Sequence, residues 1–202
     1  QQSHARIDGN GLLLIDSGGQ YQGGTTDITR VVPVGQVSAE QIRDFTLVLK
    51  GMVSLSMLVF PEGIAGQQID VLARQPLWEQ GLDFGHGTGH GVGYFMNVHE
   101  GPQSISRSLP DAHMAMEPGM VTSIEPGVYL PEFGVRSEID MFVGEGRAEV
   151  TGDIQRELVT EMADPNCRSP LSPVERVHRE KEQAGPMRGQ GAPRGGADVV
   201  AA

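Results

Sequence analysis

The densest run of side chains capable of chemistry is Gly85-His86-Gly87-Thr88-Gly89-His90-Gly91-Val92-Gly93, followed closely by Asn97-Val98-His99-Glu100-Gly101-Pro102. His86 and His90 are four residues apart, the spacing of a helical zinc-protease pair. That motif needs a glutamate where Gly87 stands, and so many glycines oppose a helix. Taken alone, the segment reads either as a ligand or substrate site or as a glycine-rich turn whose histidines are satisfied locally. Four carboxylates change the balance. Asp16, Asp27, Glu125 and Glu138 fall at the ends of apolar, strand-like runs or inside them, where an unpaired charge is costly. Each one singly is readable as a turn residue or a solvated charge. With His90 they make four carboxylates and one imidazole, an oxygen-rich set that suits hard divalent ions such as manganese, and two such ions would balance the four negative charges.

These residues must be positioned by the elements between them. Residues 12–16 form a short apolar run, and residues 28–34 are rich in β-branched side chains. The two read as a strand pair joined by a glycine-containing connection, with Asp16 and Asp27 near the hairpin. Ser38 followed by Gln41 fits a capping box, and Ile42, Phe45, Leu49, Val53 and Leu58 recur at helical spacing, which predicts a helix over 39–58 stopped by Pro61 and Gly63. A second helix is predicted over 67–80 on Ile69, Leu72, Ala73 and Leu77, kinked or ended near Pro76 and closed by Gly81. Trp78 falls on its apolar period and is expected in the core. Residues 120–124 and 135–143 are strand candidates. Strands, then helices, then strands is the order of an α+β domain. Beyond 145 the pattern weakens: short helices are expected over 154–162 and 172–183, and the Gly- and Pro-rich stretch 184–202 reads as a flexible tail.

Composition narrows the partners. Asp and Glu number 26 against 15 Lys and Arg, a formal charge of -11, which argues against a nucleic-acid backbone or an anionic membrane surface as partner and for a cation. A lone cysteine, Cys167, excludes an internal disulfide framework and a cysteine-rich zinc site, and it fits a cytoplasmic setting. No run of 18 apolar residues occurs. The chain opens on Gln1 with no basic-then-apolar leader, which is the expectation for a fragment. His4, His113 and His178 lie outside any motif and are expected to be solvated.

Six segments occur in the order seen in Xaa-Pro aminopeptidases: Leu14-Ile15-Asp16-Ser17-Gly18, Thr26-Asp27-Ile28-Thr29-Arg30, the run from His86 to Gly93, Asn97-Val98-His99-Glu100, Ile124-Glu125-Pro126-Gly127 and Arg136-Ser137-Glu138. Over residues 11–139 the sequence resembles the cytosolic aminopeptidase P type, within the creatinase, prolidase and methionine aminopeptidase superfamily. The resemblance implies a pita-bread fold of the α+β class, incomplete at its N-terminus, with residues 1–145 as part of the catalytic domain, 146–183 as a divergent extension and 184–202 as the tail. It further implies that Asp16, Asp27, His90, Glu125 and Glu138 bind two divalent ions, usually manganese, with Asp27 and Glu138 bridging them. A water or hydroxide between the ions would attack the peptide carbonyl. His99 would stabilise the tetrahedral intermediate, His86 would line the substrate pocket, and Arg136 would hold the metal-binding carboxylates.

The implied activity is release of the N-terminal residue from peptides with proline second, by a full-length protein that is a homo-oligomer in the cytoplasm. The pattern departs from the family in three places. No His-Tyr pair precedes Asp16 at the distance the family shows, Ser137 replaces an apolar residue, and Ile139-Asp140 stands where an acidic residue or Asn and then an apolar one are expected. The alternatives are a prolidase-type dipeptidase and a truncated, inactive peptide-binding module.

Overall fold

A computed structural model describes residues 6–108, 113–158 and 199–201 of the chain. Strand β1 (Gly11–Ser17) and strand β4 (Ile28–Val34) form an antiparallel pair in which Leu14 faces Val31 and Asp16 faces Thr29. Side chains alternate across a strand. Thr29 and Val31 are accordingly buried while Val32 is exposed, and Asp27, two residues before Thr29, is turned to the same buried side. The connection carries its own small hairpin, β2 (Gln20–Tyr21) with β3 (Gly24–Thr25).

Helix α1 (Ala39–Ser56) begins where the sequence places it. The Ser38 hydroxyl accepts from the Gln41 amide at 3.1 Å and the Gln41 side chain accepts from the Ser38 amide at 2.9 Å, a complete capping box. The helix ends two residues earlier than expected, because the segment before Pro61 leaves it to form β5 (Val59–Pro61). Helix α2 (Gly66–Trp78) contains Pro76 in its last turn, and the chain turns away at Gly81, whose φ of 71° lies in the left-handed region glycine tolerates. Phe45, Val48, Leu49, Met52 and Leu55 of α1 pack with Ile69, Ala73 and Leu77 of α2 in one apolar core. The expectation for Trp78 is overturned. One position past Leu77 it is rotated off the buried stripe, and it is 43% exposed with the Arg107 guanidinium 5.9 Å from its ring. Among the described residues no helix is long and apolar enough to cross a membrane.

Short strands β6 (Gly89–His90) and β7 (Ser104–Ile105) pair with each other, followed by β8 (Val121–Ile124) and β9 (Gly127–Tyr129). The single strand expected over 135–143 is two. β10 (Gly134–Arg136) pairs with β9, whereas β11 (Ile139–Phe142) pairs with β8. Ser137 and Glu138 make the change of partner, with the Glu138 amide directed at the Thr29 carbonyl. Thus the break places Glu138 beside the β1–β4 pair. β12 (Gly144–Glu145) and β13 (Glu149–Val150) follow, and β13 joins β11.

Residues 154–158 are not helical. Their chain stays irregular and lets the Gln155 amide complete the bonding of Val31, accepting from its N–H at 3.0 Å and donating to its carbonyl at 2.7 Å. Within the stretch read as a tail, β14 (Val199–Ala201) lies between β5 and β12. The remainder of that stretch, the helix expected over 172–183, and His4, Cys167 and His178 lie outside the described residues.

The capping box is a stability element away from the candidate site. Ser38→Ala should lower the unfolding free energy by about 1 kcal/mol and Ser38→Asp should restore most of it. Urea denaturation checks this, and equal midpoints for Ser38→Ala and the wild type would contradict it.

Candidate metal centre

Asp16 comes from the end of β1 and Asp27 from just before β4, at the same end of that strand pair, His90 from β6, Glu125 from the turn after β8 and Glu138 from the break before β11. The fold brings them together. In each of three overlapping groups, one potential ligand atom per residue lies within 4.8 Å of the others: Asp16, Asp27 and Glu138; His90, Glu125 and Glu138; and Asp27, His90 and His99. Glu138 is 1% and Asp27 8% exposed, while Asp16 remains open to solvent.

The glycines beside His90 have a steric cause. A Cβ on Gly89 would lie 1.9 Å from the Ser123 carbonyl oxygen, and one on Gly91 would lie 1.9 Å from that of Glu100. Backbones therefore approach on both sides of the imidazole. His90 Nδ1 donates to the Gly91 carbonyl at 3.0 Å, which leaves Nε2 facing Glu125 Oε1 at 3.1 Å and Asp27 Oδ2 at 3.5 Å. In this tautomer the Nε2 lone pair points at two carboxylates, an arrangement that demands a proton or a cation between them.

Protonation equilibria show the same strain. Burial, reinforced by the charge of Glu125, pushes Glu138 up to about 8. Burial also raises Asp27, with Asp16 adding to it. For His90, burial opposes the charge, but the hydrogen bonds to Glu125 and to the Gly91 carbonyl outweigh it and raise the imidazole to about 9. For Glu125, burial pulls upward, and the His90 hydrogen bond and charge more than offset it, so the group is lowered. Divalent ions fit this donor set: hard oxygens predominate, one imidazole is oriented, and positive charge relieves the crowding.

The other expected residues are placed distinctly. Arg136 donates to Asp16 and, at 3.2 Å, to Thr29 Oγ1, with its Nε 3.8 Å from Glu125 Oε2. His99 is exposed, its ring edge-on to His90 at a centroid distance of 4.2 Å, so it stands close enough to ligate as well as to face a substrate. His86 is set apart from the carboxylates, with Nδ1 on the Gly87 carbonyl at 2.7 Å and Nε2 on the Tyr129 hydroxyl at 2.9 Å.

Several residues were given no role by the sequence reading. Buried Thr29 donates to Glu138 Oε2, Ser123 Oγ donates to Glu125 Oε1 at 3.1 Å, and Asp140 Oδ2 accepts from the Asp27 amide at 2.9 Å. A signal existed for two of them. Thr29 and Asp140 each lie two residues beyond a candidate ligand, Asp27 and Glu138, on the same side of an alternating strand.

The model of metallopeptidase family M24 matches residues 1–145. The chain belongs to that family. It is 49% identical over 140 residues to a probable Xaa-Pro aminopeptidase P of Tuber melanosporum, covering 69% of this chain and 23% of that protein. It therefore spans about a quarter of the length of such curated relatives. A crystal structure of X-prolyl aminopeptidase from Caenorhabditis elegans, described as a cytosolic enzyme with a di-nuclear active site, superposes with a TM-score of 0.64 at 41% identity over 69% of this chain and 24% of that one. A prolidase from Thermococcus sibiricus superposes at 0.68 with 34% identity, covering 78% of this chain and 42% of that one. The fold is thus the pita-bread fold of M24 proteins, present in part.

The raised groups set a pH dependence for the metal-free M24 chain. Glu138 moves from an ordinary 4.5 to about 8, Asp140, raised chiefly by burial, from 3.8 to about 6, and His90 from 6.5 to about 9. All three hold protons more tightly folded than unfolded. Their contribution to stability is complete below the unfolded values and is lost as pH rises through the folded ones. The metal-free protein should therefore melt at progressively lower temperature from pH 5.5 to pH 9, and saturating manganese should flatten or reverse that slope. A metal-free melting temperature that rises over this interval would be inconsistent with the assembled cluster.

Proposed function

We propose that the full-length protein is a dinuclear metallo-aminopeptidase that releases the N-terminal residue from peptides with proline at the second position. The observation that carries this reading is the convergence of Asp16, Asp27, His90, Glu125 and Glu138, from separate elements, with ligand atoms within 4.8 Å in overlapping groups. The similarity to Xaa-Pro aminopeptidase P at 49% identity supports the peptide class, as does the likeness to the C. elegans enzyme. Manganese is the proposed metal because the donors are mostly carboxylate oxygen with one imidazole. The cytoplasm is the proposed location, from the lone cysteine and from the description of the C. elegans enzyme as cytosolic.

Asp16, Asp27, His90, Glu125 and Glu138 would hold two divalent ions. When bound, such ions supply a nucleophile at neutral pH and polarise the scissile carbonyl. The chain's own groups do the rest. Arg136 orients Asp16 and, through the Thr29 hydroxyl, stays linked to Glu138. Asp140 fixes the backbone at Asp27. His99, exposed beside His90, would donate to the developing oxyanion, and His86, bonded to Tyr129, would line the pocket for the peptide.

Turnover of Arg-Pro-Pro by the full-length protein should vanish on chelation and return with manganese. Glu125→Gln should lose metal and reduce kcat/KM by more than about a hundredfold, beyond what loss of a supporting contact produces. His99→Ala should keep its metal and lose about a hundredfold in kcat. A preference for the dipeptide Arg-Pro over Arg-Pro-Pro would assign the protein to the prolidase reading, and wild-type rates in both variants would remove the catalytic assignment.

A further inference from the structure

Behind the imidazole loop lies a buried polar assembly that the proposed chemistry does not use. Arg74 on α2 is 1% exposed, Asp70 one turn before it 2%, and Thr88 fully buried. The Arg74 guanidinium donates to Asp70 Oδ2 at 2.6 Å and Asp83 Oδ1 at 2.8 Å, and to the carbonyls of Phe84 and His86, both at 2.7 Å. Its carbon sits 3.8 Å from the Phe84 ring centroid. The second oxygen of Asp70 accepts from Thr88 Oγ1 at 2.6 Å. Thr88 then passes the constraint on. Its amide donates to the Ile105 carbonyl and its carbonyl accepts from the Glu125 amide, each at 2.7 Å. Two residues further along the same short segment stands His90.

We infer that Asp70, Arg74 and Thr88 are positioning residues: a buried bridge from α2 that fixes the backbone carrying His90 and Glu125 and thereby sets the affinity of the site for a divalent ion. The inference rests on reading His90 and Glu125 as ligands. A buried ion pair is weak evidence of stability, since apolar residues of similar volume often match it. Here the pair spends its remaining hydrogen bonds on loop carbonyls and on one hydroxyl. Glycine-rich backbone beside His86 and His90 has little stiffness of its own. The bridge supplies it. Thr88 is the point where α2 and the Glu125 turn are tied together, and loss of its hydroxyl cuts the tie to α2 at nearly constant volume, leaving the backbone bonds to Ile105 and Glu125 without that support.

The test uses Thr88→Val and Thr88→Ser in the full-length protein, because truncating Arg74 leaves Asp70 as an uncompensated buried charge and unfolds the molecule for trivial reasons. Manganese binding to the metal-stripped protein is measured calorimetrically well below the melting temperature, and amide hydrogen exchange of Glu125 is followed without metal. Thr88→Val should bind manganese about tenfold more weakly and exchange the Glu125 amide about tenfold faster relative to the Val48 and Leu55 amides of α1. Thr88→Ser should stay within about twofold of wild type on both readouts. A Thr88→Val variant that melts lower yet keeps its manganese affinity and its Glu125 exchange would overturn the positioning role and leave a merely structural one. If the wild type takes up no manganese, the metal reading itself fails, and the exchange of the Glu125 amide alone then decides for or against the bridge.

Discussion

Like charges brought within ligand distance repel, and in this chain Asp16, Asp27, Glu125 and Glu138 are held in that condition around one imidazole. Burial intensifies the repulsion for Asp27 and Glu138, since water cannot screen them well. The neighbouring groups answer it with donors: Arg136 reaches Asp16, Thr29 reaches Glu138 and Ser123 reaches Glu125. A further carboxylate, Asp140, accepts from the Asp27 amide and adds to the negative charge. The remaining deficit of positive charge is visible in His90, whose Nε2 faces two carboxylates and whose imidazole is raised to about 9.

That requirement explains features of the fold that would otherwise look accidental. The chain changes strand partner at Ser137 and Glu138 because Glu138 has to leave the β8–β11 pairing and lie beside Thr29. Small residues flank His90 because the carbonyls of Ser123 and Glu100 press against Gly89 and Gly91. Rigid packing of α1 on α2 supplies a base on which these irregular segments can be held, and the polar contacts of α2 extend that base to the loop.

Much of this was legible in the residues. The first hairpin follows from β-branched alternation, α1 from Ser38 and Gln41 with the apolar stripe behind them, and the four candidate carboxylates from acids at the ends of strand-like runs or inside them, with His90 offered by the glycine-rich run. What escaped had a common cause. Trp78 kept the apolar pattern but sat one residue past the packed stripe, so its exposure depended on where the helix axis met its neighbour. The split at Ser137, the strand at Val199–Ala201 and the irregular stretch around Gln155 all depend on partners distant in the chain: β9 and β8, β5 and β12, and Val31. Local pattern has no access to those. Arg74 was missed for another reason, since a single buried charge looks like any surface charge until its partners are known.

The separation of these partners along the chain bears on how the molecule comes into being. Asp16 waits for Arg136, 120 residues later; Asp27 for Asp140, 113 later; and Thr29 for Glu138, 109 later. During synthesis the first hairpin emerges with its acids long before the groups that hold them, and closing such distant contacts is slow. A nascent chain can thus complete α1 and α2 early and still display an unfinished acidic hairpin until residues 136–140 arrive. The centre is therefore built from contacts that span most of the described chain, and in the order of synthesis it follows α1 and α2, since its partners lie at residues 136–140.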